Sequence, residues 1–89
     1  MSPDTVWRIA ARFRLQYEPV QSAWVLLYPE GMIKLSPSAA EILRRVDGAS
    51  SVDALCSSLE TAYPGASLRQ DVVDFLRVAD ERGWIVPRT

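Results

Sequence analysis

Tyr28-Pro29-Glu30-Gly31-Met32-Ile33-Lys34-Leu35-Ser36-Pro37-Ser38-Ala39-Ala40-Glu41-Ile42-Leu43 holds a reversal, a strand and the start of a helix in one short stretch. Pro29 presets φ for a turn and Gly31 relaxes its exit. Met32-Ile33-Lys34-Leu35 then reads as a returning strand. Ser36 is an N-cap residue, and Pro37 takes the first helical position, where its missing N–H costs nothing. Ala39, Ile42, Leu43 and Val46 follow at i, i+3, i+4, i+7, which is a helix with one buried face. Gly48 is placed to close that helix in the left-handed conformation.

Working toward the N-terminus, Ala23-Trp24-Val25-Leu26-Leu27-Tyr28 is apolar on both faces of a strand. Such a strand is either covered twice or open to a partner. Before it, Phe13, Leu15 and Tyr17 alternate with Arg14 and Gln16, the period of a half-buried strand that Pro19 ends. The three strands predict an antiparallel meander whose third member is a free edge. Residues 1–12 are expected as a flexible, loosely held arm, since Arg8 and Arg12 face only Asp4 and Ser2-Pro3 marks a frayed start. Val6, Trp7 and Ile9 make that arm able to dock.

Toward the C-terminus, Ser51 caps a second helix with the stripe Val52, Leu55, Cys56 and Leu59, ending at Tyr63-Pro64-Gly65. Ser67 is the expected cap of a third helix carrying Leu68, Val72, Phe75, Leu76 and Ala79. Gly83 stops it, and Trp84-Ile85-Val86 extends to Pro87. The fold class expected is α+β and winged-helix-like: a three-stranded antiparallel β-meander followed by three α-helices, one domain over residues 13–86.

Composition narrows the function. The chain has 89 residues, 10 Lys and Arg against 11 Asp and Glu, one cysteine and no histidine. Without histidine there is no Ser-His or Cys-His nucleophile pair and no usual zinc site. Gly occurs four times, never as GxGxxG or a P-loop. These absences lead to the expectation of a binding protein, not an enzyme, with no cofactor and no metal. The near-neutral charge offers no general attraction to nucleic acid or to an anionic membrane. No apolar run reaches the roughly 20 residues of a membrane span. The N-terminus lacks a signal-type apolar region, so a cytoplasmic location is expected.

The central residues also carry a likeness. Val25 to Met32, Lys34-Leu35-Ser36, Ser38 to Leu43 and Val46-Asp47-Gly48, with Asp71 to Ile85 further on, resemble the PqqD family of pyrroloquinoline quinone (PQQ) biosynthesis. The likeness runs from about Phe13 to Val86. It implies a winged-helix-like module that recognises the leader of a ribosomally made, modified peptide. On that likeness the partners are the precursor peptide PqqA and the radical S-adenosylmethionine enzyme PqqE, to which PqqA is presented.

Strand addition needs an edge with free N–H and C=O groups, and Met32, Ile33, Lys34 and Leu35 are the candidate edge. On the third helix, Val73 lies about 140° from Leu68, beside the core stripe and flanked by Arg69, Leu76 and Arg77. Arg69, Val73, Leu76 and Arg77 are therefore the candidate helix wall for a partly acidic peptide. Plainer readings stand beside these. Ile33 and Leu35 pack a core, Trp24 and Tyr28 pack a hairpin, Arg69 and Arg77 are ordinary solvated residues, and Cys56 is a small buried hydrophobe. Two other functions compete. Winged-helix DNA binding is disfavoured because the second helix carries Asp53 and Glu60 and no Lys or Arg. Self-association, with a possible homodimer through the exposed strand edge, would use the same surface as the peptide.

Overall fold

The computed structural model describes residues 1–88. Its elements run β1 (Trp7–Ile9), β2 (Arg14–Glu18), β3 (Ala23–Tyr28), β4 (Gly31–Lys34), α1 (Pro37–Leu43), α2 (Val52–Ala62), α3 (Arg69–Glu81) and β5 (Ile85–Pro87). The α+β class and the β-meander followed by three helices are as expected. A second, two-stranded sheet joins β1 to β5.

In the meander, β3 lies between β2 and β4, antiparallel to both. Register places Leu15, Leu26 and Ile33 in one row on the helix-facing side. Arg14, Leu27 and Met32 form a row on the opposite side, as do Gln16, Val25 and Lys34. Both Val25 and Leu26 are 0% exposed, so the strand that is apolar on two faces is buried on both at its centre.

The β3–β4 turn differs in detail from expectation. Tyr28 pairs with Gly31, leaving Pro29-Glu30 as the turn. Gly31 is not among the left-handed glycines. A Cβ there would lie 3.2 Å from the Tyr28 hydroxyl oxygen, so a larger residue would require the Tyr28 side chain to give by a few tenths of an ångström. Arg12 latches the turn. It meets the Glu30 carboxylate at 2.9 Å and stands over the Phe13 and Tyr28 rings at 5.4 and 5.7 Å. Exposed pairs of these kinds are each worth less than about 1 kcal/mol, but together they tie the β1–β2 link to the start of β4.

Ser36 caps α1 by accepting from the Ala39 N–H at 3.2 Å. Its helix ends at Leu43, earlier than the apolar stripe suggested. Tight turns follow, with the N–H groups of Arg45 and Val46 donating to the carbonyls of Ile42 and Leu43. Gly48 is left-handed at φ +75, yet it serves the α1–α2 connection and not the end of the helix. Its N–H donates to the Trp7 carbonyl, and Asp47 beside it accepts from the Ala49 and Ser50 N–H groups at 2.9 and 2.8 Å.

Ser51 caps α2 as expected, and Val52, Leu55, Cys56 and Leu59 are buried together. For α3 the expected Ser67 cap is absent. Leu68 holds the cap position, and its N–H is met by the Glu60 carboxylate of α2 at 3.1 Å. A carboxylate at a helix N-terminus both accepts a free donor and opposes the dipole, which makes a hydroxyl cap dispensable. The other end closes on left-handed Gly83, where the N–H groups of Gly83 and Trp84 return to the carbonyls of Asp80 and Ala79.

Residues 1–12 differ most from the loosely held arm. Pro3 and Thr5 carbonyls accept from the Asp53 and Val52 N–H groups at the start of α2, and Val6 bridges Ser51. Trp7, 5% exposed, is part of the core. The physical reason is that Ile85 and its neighbours need a strand partner, and β1 supplies it with Trp7 facing inward. The Trp7 indole N–H is buried without an acceptor among the described residues. No helix among the described residues is long and apolar enough to cross a membrane.

Two expectations follow. Trp7→Ala should lower stability by about 3–5 kcal/mol in urea denaturation, the usual range for a buried tryptophan. Trp7→Phe should cost far less, because it keeps an aromatic body and removes an N–H that has no partner. The Asp47 carboxyl is held below its ordinary 3.8, chiefly by the Ser50 and Ala49 N–H groups. Its charge therefore stabilises the fold above that value, and the benefit is lost as pH falls through the lowered folded value. Asp47→Asn should be less stable than the parent at pH 7, with the difference closing at strongly acid pH.

Candidate functional site

An antiparallel strand turns its backbone groups alternately toward and away from its neighbour. The Leu35 N–H donates to the Trp24 carbonyl at 2.9 Å, so Leu35 and, two residues earlier, Ile33 bond inward to β3. Met32 and Lys34 then turn their N–H and C=O groups to the free edge. Of the four edge residues predicted, two offer hydrogen bonds and the other two offer side chains to the helix-facing side. Leu35 is buried and Ile33 half-buried, while Met32 is 43% exposed on the opposite face.

On α3 the structure separates the predicted wall. Leu76 is fully buried in the core. Arg69 reaches Asp53 of α2 at 2.7 Å, and this bond raises its guanidinium pKa further. Val73 is half-buried against the core. Arg77 is exposed and has no ion pair among the described residues.

Helical spacing puts Arg69, Val73, Arg77 and Asp80 on one flank of α3. Asp71, Phe75 and Val78 occupy the opposite flank. The Arg69–Asp53 pair sets the first flank beside α2. On the second, Asp71 lines a cavity of about 450 Å³ together with Pro37 and Ser38, the residues that follow β4. Asp71 at the start of that flank thus lies near the residues after β4; further along it Phe75 is half-buried and Val78 is 41% exposed. The signal for it was present in the sequence: Val78 is apolar at a position outside the core stripe. Phe75 packs on Trp84 with ring centroids 6.5 Å apart, which positions it at the margin of the core.

Charge around the β4 exit is organised by α1. Arg45 bonds both the side chain and the carbonyl of Glu41, at 2.9 and 2.8 Å, and Arg44 lies 3.6 Å from the same carboxylate. The Arg45 bond holds the Glu41 carboxyl below the usual range. Arg44 also stands over Trp24, 4.7 Å from the ring centroid, and Tyr17 meets that ring edge-on. Cys56 is fully buried, and desolvation pushes its thiol pKa up, as suits a small apolar filler. No group of three or more His, Cys, Asp or Glu among the described residues could hold a metal ion.

An open strand edge with an apolar cavity past its exit is a geometry that peptide-docking modules use. Comparison with known proteins agrees with that class. The sequence profile of the PqqD family, described as coenzyme PQQ synthesis protein D, matches residues 23–85. A PqqA binding protein of Stutzerimonas stutzeri is 54% identical over 74 residues, covering 82% of this chain and 80% of that protein. One from Pseudomonas aeruginosa is 45% identical over 85 residues, covering 94% and 92%. A solution NMR structure of the PqqD truncation of Methylobacterium extorquens PqqCD superposes with a TM-score of 0.76 at 26% identity, covering 97% of this chain and 94% of that one. It is described as a functional, stand-alone recognition element for ribosomally synthesized, post-translationally modified peptides. The chain belongs to the PqqD family.

Proposed function

We propose that this chain binds the precursor peptide PqqA as an added strand on β4 and presents it to the radical S-adenosylmethionine enzyme PqqE. The observation that carries the proposal is the β4 edge, where Met32 and Lys34 turn outward while Ile33 and Leu35 bond to β3. The relatives described as PqqA binding proteins support the identity of the peptide. What supports presentation to PqqE is membership of the PqqD family.

Two flanks of α3 compete as the second wall of the groove. The first holds Arg69, Val73 and Arg77, and would meet acidic groups of the peptide. The second holds Asp71, Phe75 and Val78. What supports the second is the place of Asp71 in the cavity that Pro37 and Ser38 also line, and the engagement of Arg69 by Asp53. A second copy of the chain is the natural competitor for the same edge, because a free strand edge pairs with whatever strand is offered.

Proline on an edge strand is tolerated where its N–H would face solvent. Lys34→Pro should therefore keep the fold by circular dichroism but lose at least tenfold in affinity for synthetic PqqA by calorimetry. Lys34→Ala, which keeps the N–H, should bind nearly as the parent does. Equal affinity in the proline variant would refute strand addition at β4. For the helix, Val78→Asp should weaken binding severalfold and Arg77→Glu should leave it nearly unchanged; the reverse pattern would favour the arginine flank.

A further inference from the structure

We infer that the cavity at the exit of β4 is a side-chain subsite of the bound peptide, taking one large apolar residue with a lysine or arginine next to it. The inference rests on strand addition at β4 as proposed above. The cavity holds about 450 Å³ between the first turn of α1, the end of α2 and the start of α3. That volume lies at the lower end of small-ligand pockets and is ample for a single large side chain. Ile42, Leu59, Leu68 and Val72 form its apolar wall.

Its charged lining is of one sign. Glu41 and Asp71 are its ionisable carboxylates, and no Lys or Arg among the described residues lines it. Arg44 and Arg45 offset Glu41 from outside the cavity. Asp71 is exposed and has no ion pair or side-chain hydrogen bond among the described residues, so the mouth carries an uncompensated negative charge. An apolar interior with an acidic lip selects an apolar side chain whose neighbour is cationic, because each part then meets its complement.

Position links the cavity to the edge. The last ladder bond of β4 is at Leu35, and the cavity wall begins at Pro37. A strand advances about 3.3 Å per residue, so a peptide paired with Lys34 reaches the mouth within two or three residues. The α1 helix blocks continued pairing beyond that point, which leaves side-chain insertion as the next contact available.

Ala66 lines the cavity from the exposed α2–α3 loop, so Ala66→Trp can fill it without touching the core. The probe is the synthetic PqqA of Stutzerimonas stutzeri, titrated calorimetrically into the full chain. Ala66→Trp should melt like the parent and bind at least tenfold more weakly. In an alanine scan of the peptide, one large apolar residue next to a Lys or Arg should matter for the parent and be silent against Ala66→Trp, the signature of a direct contact. Asp71→Lys, which leaves the cavity open, should weaken binding severalfold, and more so at low salt than at high salt. Unchanged affinity in a folded Ala66→Trp variant, or losses that add to every peptide truncation, would overturn the subsite. If Ala66→Trp melts early, unchanged affinity in Asp71→Lys would overturn it instead. Loss in Lys34→Pro with no loss in either cavity variant removes the subsite alone; retention in Lys34→Pro removes strand addition itself.

Discussion

Everything exposed at the candidate site depends on β3 being the one strand among the described residues with a neighbour on each side. It buries Leu26 beneath the helices and Val25 on the other face, and it satisfies β2 and β4 with one row of backbone bonds each. Because the sheet stops at β4, that strand keeps a row of unpaired groups. Its direction is set by the Pro29-Glu30 turn, which Arg12 latches from the β1–β2 link. Its end is set by the Ser36 cap, which turns the chain away into α1 before a further ladder bond can form. The edge is short because both of its ends are fixed.

A second sheet lets this arrangement hold still. β1 and β5 bring the two ends of the chain together across the helices, and Trp7 enters the core from that ribbon. Carbonyls of the segment before it accept from the first N–H groups of α2, which a helix leaves unpaired. The N-terminal residues thus complete the helix layer, and the meander is left free to present its edge.

Much of this was legible from spacing. The stripes of α1 and α2, the two-faced β3 and the stop at Gly83 follow from periodicities of two and 3.6. What was not legible depended on partners distant in the chain. Trp7-Arg8-Ile9 is too short to signal a strand, and only Ile85-Val86-Pro87 makes it one. The cap of α3 came from Glu60, a residue with no local reason to reach Leu68. At the site, the edge strand was readable but the choice between the flanks of α3 was not. Arg69 and Arg77 stood out as charges, whereas the Arg69–Asp53 pair and the cavity at Asp71 exist only once α2 crosses α3.

Magnitudes show why the edge needs these neighbours. Met32 and Lys34 together offer about four backbone groups, and a net bond is worth roughly 0.5–1.5 kcal/mol. Their sum reaches no more than about 6 kcal/mol, below the roughly 8 kcal/mol of a micromolar complex. Ordering a free peptide costs more still. An edge this short therefore cannot retain a flexible peptide by backbone bonds alone, nor can it hold a second copy of the chain that offers nothing else. That weakness is protective, since a short edge carrying Lys34 resists indiscriminate pairing. A peptide that stays must gain the remainder from side chains, and in that division the backbone sets register while the side chains decide which peptide is kept.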